Sequence, residues 1–531
     1  MRQRIMKKLF TLMMLFVAGC LCANAQYSEI KDVQFKFKKH AAYDSDCLSE
    51  RRREQIYNKT TYFPHMGTPK ALVILVDFQD VHFTIDNPKE AFNKYLNGGY
   101  LSVAADGPIG RNYGSVAQYF DDCSFGLFRP QFTLAGPVRL SQNLAVYGAN
   151  ERMDLLIPEA CRLVDDEVNF ADFDSNADGY VDLVYIIYAG YSESIDGNST
   201  DCIWPKSGTT SGGEYDGKKV LRYGVNGELN GTPADAQKYG LLANGIGLFC
   251  HEFSHCLGFA DLYGYETTDP SKYSEMNNQG MEFWDLMDSG CYLNNGYTPI
   301  EYSAWEREAM GWIRVDTLDA PADIVLGTVQ KTKKAYRVLN SNDVTNQEYF
   351  MLENIQKEGW NQYLNGHGML VTHVDFAPNR FEVGSLPNST KGHPRMTVVA
   401  ADGLLLSSYL IGHYYNGALI THSTIRTDEA GDPFPGTAEN TELTDESVVT
   451  YPLYSGTSMN KPITMISEGT DGVISFKFMG SSNTAVNNPS VGSDSFVKQP
   501  YYTLDGRKMG TDSSVLPKGI YIVGKKKAVV H

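Results

Sequence analysis

The chain has no long apolar run beyond its N-terminus, so the sequence offers no other segment that could cross a membrane. It also lacks a glycine-rich nucleotide-binding loop and any pattern typical of a catalytic serine triad. Basic residues are in deficit, because 46 Lys and Arg face 63 Asp and Glu and give a formal net charge of −17. This acidic balance disfavours nucleic acid and anionic membrane surfaces as partners.

The first 25 residues have the three parts of a signal peptide. Basic residues come first, an apolar stretch at 9–17 follows, and residues 23–25 (ANA) form a small-x-small cleavage site. The apolar stretch is too short for a transmembrane helix. Residues 17–20 (VAGC) also fit a lipoprotein cleavage box, so anchoring through Cys20 is an alternative. We therefore expect an exported protein.

Nine cysteines are present, and two of them leave with the signal peptide. Export permits disulfides, but the odd number that remains leaves at least one thiol unpaired within the chain. The sequence does not determine the pairing. The remaining cysteines are Cys47, Cys123, Cys161, Cys202, Cys250, Cys256 and Cys291.

The stretch 251–261 reads HEFSHCLGFAD, and the chain is organised around it. On a helix, His251 and His255 lie one turn apart on the same face, so both imidazoles can reach one cation. Glu252 lies near the open coordination position, where it can take a proton from a bound water. Gly258 can adopt a positive φ and end the helix, so that Asp261 presents a carboxylate as third ligand. Two histidines, one carboxylate and a water would make an open catalytic zinc site.

A second signal lies downstream, where residues 284–290 (WDLMDSG) are typical of the methionine turn that underlies zinc in metzincin peptidases. Glu275 is a rival third ligand, because it follows His255 by 20 residues, the separation seen in thermolysin-like sites. It lies in a polar loop without the helical pattern that such a site uses, so Asp261 is preferred.

Four more side chains are candidates for roles near the metal. Tyr292 and Tyr297 follow the methionine turn and could hold the oxyanion, although aromatic packing is the favoured role for each. His367 and His373 lie far along the chain, and structural roles are favoured for both.

Residues 174–182 read DSNADGYVD and place oxygen side chains at alternate positions with glycine at the sixth, which is what a calcium loop needs. Tyr185 stands at the twelfth position, where a full EF-hand has Glu. The loop is therefore either a half-loop that binds structural calcium, which we favour, or an Asx-rich turn without an ion. The candidate calcium ligands are Asp174, Asn176, Asp178, Asp182 and the backbone carbonyl of Tyr180.

Residues 26–66 are polar and charged, and form either a solvated linker or a propeptide that blocks the metal. A thiolate from Cys47, or a carboxylate from Asp44 or Asp46, could be the blocking ligand. Residues 51–53 (RRR) are a candidate processing site.

Hydrophobic patterning predicts an α+β zincin catalytic domain, with a mixed sheet and with backing and active-site helices, followed by a β-rich sandwich-like module and a small C-terminal β tail. Residues 192–240 are rich in Gly, Ser and Asp and are predicted to form a long loop beside the cleft. The predicted elements of the catalytic domain are strands at 71–78, 129–140 and 183–189, and helices at 86–98, 115–125, 153–168 and 299–312.

With these residues in view, the chain resembles the immune inhibitor A-like secreted metallopeptidases over roughly residues 67–480. The resemblance implies a zinc endopeptidase, often calcium-stabilised and made as a zymogen, with His251, His255 and Asp261 as zinc ligands and Glu252 as the base. The motifs that carry it are 70–78 (KALVILVDF), 115–126 (SVAQYFDDCSFG), 251–261, Met287, 348–354 (EYFMLEN) and 366–375 (GHGMLVTHVD).

The C-terminal tail resembles sorting domains of the Por (type IX) secretion route, mainly at residues 518–523. That resemblance implies secretion machinery as a partner and a secreted or cell-surface location in a bacterium. The expected organisation is a signal peptide at 1–25, a propeptide or N-terminal extension at 26–66, a zinc peptidase catalytic domain at 67–315, a β-sandwich-like domain at 316–480, a linker at 481–496 and a sorting-like domain at 497–531.

The combined expectation is a secreted zinc endopeptidase that hydrolyses peptide bonds in proteins through a metal-activated water, with Glu252 as general base. The alternative is a non-catalytic surface adhesin or binding protein with a structural zinc site. A complete Glu252 argues against it, because a purely structural site has no need of a base there. The sequence does not give the cleavage preference or the natural substrate.

Overall fold

The computed structural model describes residues 56–480 apart from 196, 265–279, 391, 405, 416 and 447–452, together with the backbone of four strands between 501 and 530. Residues up to Gly480 group into one unit and residues 481–531 into a second. The signal peptide, the blocking ligands expected near Cys47, the rival ligand Glu275 and the linker lie outside the described residues. Within the described part of the chain, every helix is too short or too polar to span a bilayer.

A six-stranded mixed sheet forms the centre of the first unit. The strands lie in the order β2–β1–β4–β6–β3, with β5 also pairing with β6, and only the β5–β6 pair is antiparallel. The inner strands β1 and β4 are apolar and almost wholly buried, as expected for parallel strands covered on both faces. The strand bounds are β1 (Lys70–Asp77), β2 (Gln131–Arg139), β3 (Tyr180–Val181), β4 (Val184–Tyr191), β5 (Lys206–Tyr215) and β6 (Lys218–Leu229).

Helices cover both faces of this sheet. Alternate side chains of β1 point to opposite faces, so Leu72 and Ile74 join one core and Val73 and Leu75 join the other. Helix α5 (Met153–Val164) packs in the core that contains Leu72 and Ile74. The helix that carries the zinc motif packs in the core that contains Val73 and Leu75. The helix bounds are α1 (Pro88–Asn97), α2 (Val103–Asp106), α3 (Val116–Cys123), α4 (Leu144–Gly148), α5 (Met153–Val164), α6 (Pro233–Tyr239), α7 (Ile246–Leu257) and α8 (Ala304–Ala309).

The loop predicted for residues 192–240 is wrong, because β5, β6 and α6 lie within it. The glycines of this region, which are typical of loops in sequence, make room for buried aromatic rings. A Cβ at Gly224 would lie 2.3 Å from the ring of Tyr185, and one at Gly208 would lie 2.6 Å from the hydroxyl oxygen of Tyr223. Glycine in a strand often marks such a close approach.

The helix predicted at 299–312 is shorter in the structure, where α8 spans Ala304–Ala309. Ser303 is its N-cap, and a capping box joins Ser303 to Glu306, so the helix cannot begin earlier. The predicted strand and helix segments around 70–164 are confirmed, with boundaries that differ by a few residues.

The region after residue 315 is rich in short strands, as predicted. One five-stranded sheet runs in the order β12–β11–β10–β9–β7, a three-stranded sheet in the order β15–β16–β8, and β13 pairs with β14. The strands are β7 (Asp316–Thr317), β8 (Ala322–Leu326), β9 (Tyr336–Leu339), β10 (Glu348–Ile355), β11 (Gly368–Asp375), β12 (Met396–Val398), β13 (Tyr414–Tyr415), β14 (Ala418–Leu419), β15 (Ile463–Glu468) and β16 (Ile474–Phe478). The helices in this region are α9 (Val329–Thr332), α10 (Pro378–Phe381) and α11 (His422–Glu429).

The five-stranded sheet joins two cores. Tyr349 and Met351 on one face belong to the same core as helix α7, whereas Leu352 and Val371 share a separate core with the three-stranded sheet. The boundary expected near residue 315 therefore crosses a continuous core, and the sandwich-like arrangement stays a prediction.

The second unit contains a four-stranded antiparallel sheet in the order β18–β17–β19–β20. The backbone is thus strand-rich where a β tail was predicted. Its strands are β17 (Tyr501–Tyr502), β18 (Lys508–Gly510), β19 (Gly519–Val523) and β20 (Lys526–Val530).

The cysteines of the described region carry free thiols. Burial raises the pKa of several of them, including Cys123, Cys161 and Cys256, each to about 12, which favours the neutral thiol. The free cysteines are Cys123, Cys161, Cys202, Cys250, Cys256 and Cys291.

Candidate metal centre

Helix α7 is buried along its whole length, and its end is set by a glycine. Gly258 has a φ of 113°, and its N–H bonds back to the carbonyls of Ser254 and His255. A Cβ at this position would also lie 2.8 Å from the ring of Tyr62 and 3.0 Å from the ring of Tyr57. Glycine is therefore required for both conformation and space, and the predicted helix end is confirmed.

The turn after Gly258 brings the three expected ligands together. Asp261 Oδ1 lies 3.2 Å from Nε2 of His251 and 3.2 Å from Nε2 of His255. The two imidazole rings have centroids 4.8 Å apart and an interplanar angle of 86°, so their Nε2 atoms converge from two directions. All three side chains are buried.

Backbone carbonyls orient both histidines. Nδ1 of His251 lies 2.9 Å from the carbonyl oxygen of Leu286, and Nδ1 of His255 lies 2.8 Å from that of Phe259. A carbonyl can only accept, so each Nδ1 donates and carries the proton. Each Nε2 is thereby directed at the other ligands, the arrangement found where a neutral histidine binds a metal.

The resulting donor set fits a cation. Two Nε2 atoms and one carboxylate oxygen face one another, and in the neutral tautomer all three are acceptors that a cation between them would satisfy. Tyr263 steadies the carboxylate, because its hydroxyl donates to Asp261 Oδ2 over 3.2 Å. Within the described ranges, no other cluster of three His, Cys, Asp or Glu side chains has its ligand atoms similarly close.

Glu252 lies beside this group and does not belong to it. It is 3% exposed, its Oε2 has no hydrogen-bond partner among the described residues, and the backbone amide of Ser207 in β5 bonds to its carboxylate. Burial raises the pKa of Glu252 to about 8, and the Asp261 carboxylate adds to the effect. A nearby cation would favour the charged form, so the position suits a base that exchanges protons close to neutral pH.

The turn that contains Met287 packs beside α7. Met287 is fully buried, its carbonyl accepts from Leu262 N–H over 2.9 Å, and its own N–H donates to Asp285 Oδ1 over 2.8 Å. The preceding residue, Leu286, supplies the carbonyl that orients His251. The turn therefore bonds both to the loop that carries Asp261 and to His251.

Residues 164–313 match the family described as immune inhibitor A peptidase M6, catalytic domain. The chain also aligns over 279 residues, at 26% identity, with the pre-pro-metalloprotease PrtV of Vibrio cholerae serotype O1, from strain M66-2 and from strain ATCC 39315 / El Tor Inaba N16961. The alignment covers 45% of this chain and 29% of the relative, so the chain spans less than a third of the curated relatives it matches. Both findings support a metallopeptidase.

The M6-like region contains the HEFSHCLGFAD stretch and the turn at 284–290. Two tyrosines that follow the turn differ in their surroundings. The hydroxyl of Tyr297 accepts from Asn230 Nδ2 over 3.0 Å and donates to Ala243 O over 3.3 Å, which fixes it in the core. Burial raises the pKa of Tyr292 well above its usual value, and the nearby Cys291, Glu252 and Asp261 raise it further. Of these two tyrosines, Tyr292 is the one whose pKa is raised by Glu252 and Asp261.

The two distant histidines have structural partners. His373 Nε2 lies 2.9 Å from Glu348 Oε1, where both side chains are 1% exposed, and His367 Nδ1 lies 2.8 Å from Glu468 Oε1. Their hydrogen bonds agree with the structural roles favoured for them from sequence.

The loop at 174–182 is held by its own hydrogen bonds. Asp174 is paired with Lys218 Nζ at 2.6 Å and accepts from Asp178 N–H over 3.1 Å. Asp178 Oδ1 accepts from Tyr180 N–H, and Asp182 Oδ2 accepts from Ser175 N–H, each over 3.0 Å. Asn176, another predicted ligand, accepts from Asp178 N–H over 3.0 Å. Calcium binding stays a prediction here, and Lys218 would compete with an ion for Asp174 Oδ2.

Proposed function

We propose that this chain is a secreted, zinc-dependent endopeptidase in which His251, His255 and Asp261 hold zinc and Glu252 is the general base. The observation that supports it most is the position of Asp261 Oδ1, 3.2 Å from both Nε2 atoms while carbonyls take the Nδ1 protons. Two imidazole nitrogens and one carboxylate oxygen are a donor set that zinc prefers, and three protein ligands leave a position open for catalysis.

The chain's own groups have distinct tasks in peptide hydrolysis. When bound, zinc would supply an activated water and polarise the scissile carbonyl. Glu252 takes the proton of the attacking water and passes it to the leaving amine. The hydroxyl of Tyr292, which lies near Glu252 and Asp261, is suited to donate a hydrogen bond to the substrate's carbonyl oxygen. Because Glu252 is buried, bulk water has little access to its carboxylate.

Secretion, processing and calcium binding are parts of the same proposal. The N-terminal 25 residues support export, and the strand-rich tail after residue 500 supports passage through a type IX-like secretion route to the cell exterior or surface. The relative PrtV of Vibrio cholerae is a pre-pro-metalloprotease, which supports a removable segment within residues 26–66. Calcium at 174–182 would be structural.

The test is digestion of casein by the purified protein with and without a zinc chelator. We expect Glu252→Ala to retain zinc in elemental analysis while its rate falls by about 10²–10⁴-fold, the usual contribution of a general base. Glu90→Ala, an exposed carboxylate on α1, is the matched control and should keep full activity.

Loss of zinc from Glu252→Ala would reassign Glu252 as a ligand. A wild-type protein that binds zinc but shows no chelator-sensitive digestion would favour the alternative, a non-catalytic adhesin or binding protein with a structural zinc site.

A further inference from the structure

A short segment ahead of β1 packs against the C-terminal end of α7. Its four apolar residues, Ile56, Tyr57, Tyr62 and Phe63, are between 0% and 6% exposed. The Phe63 ring lies 5.1 Å from that of Phe253 in α7. We name residues 56–63 the anchor segment.

The anchor segment also hydrogen-bonds to the helix. Phe63 N–H donates to the carbonyl of Cys256 over 2.9 Å, which satisfies one of the carbonyls that every helix leaves open at its end. The segment therefore caps the part of α7 that immediately follows the second histidine.

Tyr57 of the anchor segment contacts the turn that leads to the third ligand. Its ring centroid lies 4.8 Å from that of Phe259, whose carbonyl oxygen accepts from His255 Nδ1. The rings of Tyr57 and Tyr62 also cover Gly258 so closely that a Cβ there would lie 3.0 and 2.8 Å from them. The turn that orients His255 and presents Asp261 thus rests on two side chains of the anchor segment.

The other side of this turn is tied to residues 381–383, and the anchor segment holds those as well. Phe259 forms a β-bridge with Glu382, and Val383 N–H donates to the carbonyl of Gly258 over 2.8 Å. Lys59 forms an ion pair with the Glu382 carboxylate, and the Tyr57 hydroxyl donates to the carbonyl of Phe381 over 2.8 Å. Residues 57–59 therefore contact the turn directly and also hold residues 381–383, which bond to its other side.

We propose that the anchor segment positions the metal site, with Tyr57 as its main positioning residue, and that it remains part of the active enzyme. The inference rests on the proposed function. Removal of the whole extension 26–66 would take away the contacts that hold the Gly258–Phe259 turn. Processing that yields active enzyme must therefore cut before Ile56, and residues 51–53 (RRR) offer such a site.

The test is the zinc affinity of Tyr57→Ala in the full chain, measured by competition with a chromophoric chelator. We expect the zinc Kd to rise by about 10–100-fold, as it does when a partner that orients a metal ligand is lost. Tyr57→Phe keeps the ring against Phe259 and should remain close to wild type.

Tyr147→Ala is the matched control, because Tyr147 is also a buried tyrosine with a bonded hydroxyl but lies in the core on the opposite face of the sheet. It should unfold more readily than wild type with an unchanged zinc Kd. Equal zinc affinities in Tyr57→Ala and Tyr147→Ala would overturn the proposal. A wild-type protein that binds no zinc would instead refute the proposed function.

A second measurement covers the case in which Tyr57→Ala does not fold. The N-terminus of the processed, active wild-type protein is determined by intact mass and N-terminal sequencing. A start at or before Ile56 supports the proposal, and an active form that starts after Ile56 overturns it.

Discussion

At the residue scale, the candidate metal centre depends on which ring nitrogen of each histidine faces the carboxylate. The carbonyls of Leu286 and Phe259 accept from the Nδ1 atoms, so the Nε2 atoms of both histidines converge on Asp261 Oδ1. Asp261 is the negative member of this set. Its removal would leave two neutral imidazoles to hold a divalent cation.

We predict that Asp261→Ala weakens zinc binding far more than Glu275→Ala does. Loss of a residue that orients a metal ligand lowers metal affinity by about 10–100-fold. Loss of a direct ligand should lower the zinc affinity at least as much. Competitive chelator titration of both variants measures this difference. Glu275 lies outside the described residues, and a stronger loss from Glu275→Ala would make it the third ligand.

Local spacing was sufficient to predict that the candidate ligands come together, because His251, His255, Gly258 and Asp261 lie within one helix and its turn. The orienting carbonyl of Leu286 is 35 residues away from His251 in sequence, so it becomes visible only in the folded chain. For the same reason, the sequence could not distinguish Tyr292 from Tyr297.

At the element scale, the strands beside the metal helix were the part that sequence reasoning missed. Strands β5 and β6 contain glycines whose missing Cβ atoms make room for aromatic rings such as Tyr185 and Tyr223. In sequence these glycines are indistinguishable from loop glycines, because the rings they accommodate come from cross-strand neighbours. The consequence is functional, since the amide of Ser207 in β5 contacts Glu252.

The loop at 174–182 is the second element with a testable role. We predict that calcium raises the melting temperature and that Asp178→Ala abolishes most of the rise. An ion that binds only the folded state stabilises it by about 2.7 kcal/mol at about 100 times its Kd. Lys218→Ala should strengthen the calcium effect, because Lys218 Nζ lies 2.6 Å from Asp174 Oδ2 and competes with the ion.

Differential scanning calorimetry with and without calcium measures this effect, with Asp172→Ala, just outside the motif, as the control. Zinc content should not change in any of these variants, because the proposed zinc ligands lie on α7 and its turn. If calcium leaves the wild-type melting temperature unchanged, the loop is an Asx-rich turn.

At the scale of the whole molecule, buried carboxylates gather where the methionine turn meets α11 and its flanking loops. Burial is the main cause that raises the pKa of Asp428 to about 6 and that of Glu429 to about 8. The neighbouring Glu282 carboxylate raises the pKa of both further. In a protein with a formal net charge of −17, this region holds protons that the unfolded chain would release.

We predict that the free energy of unfolding falls as the pH rises from about 5 to 8, and that Glu429→Gln reduces this fall. Between the ordinary glutamate pKa, near 4.3, and the folded-state value of about 8, the folded state binds one more proton than the unfolded state. Each pH unit in that window therefore costs about 1.4 kcal/mol for this group. A glutamine needs no proton and can still accept from Asn365, which now bonds to Glu429 Oε2.

Urea unfolding of wild type, Glu429→Gln and the exposed control Glu446→Gln across this range, at fixed zinc, measures how the free energy of unfolding changes with pH. Parallel curves for wild type and Glu429→Gln would show that Glu429 is already ionised in the folded protein.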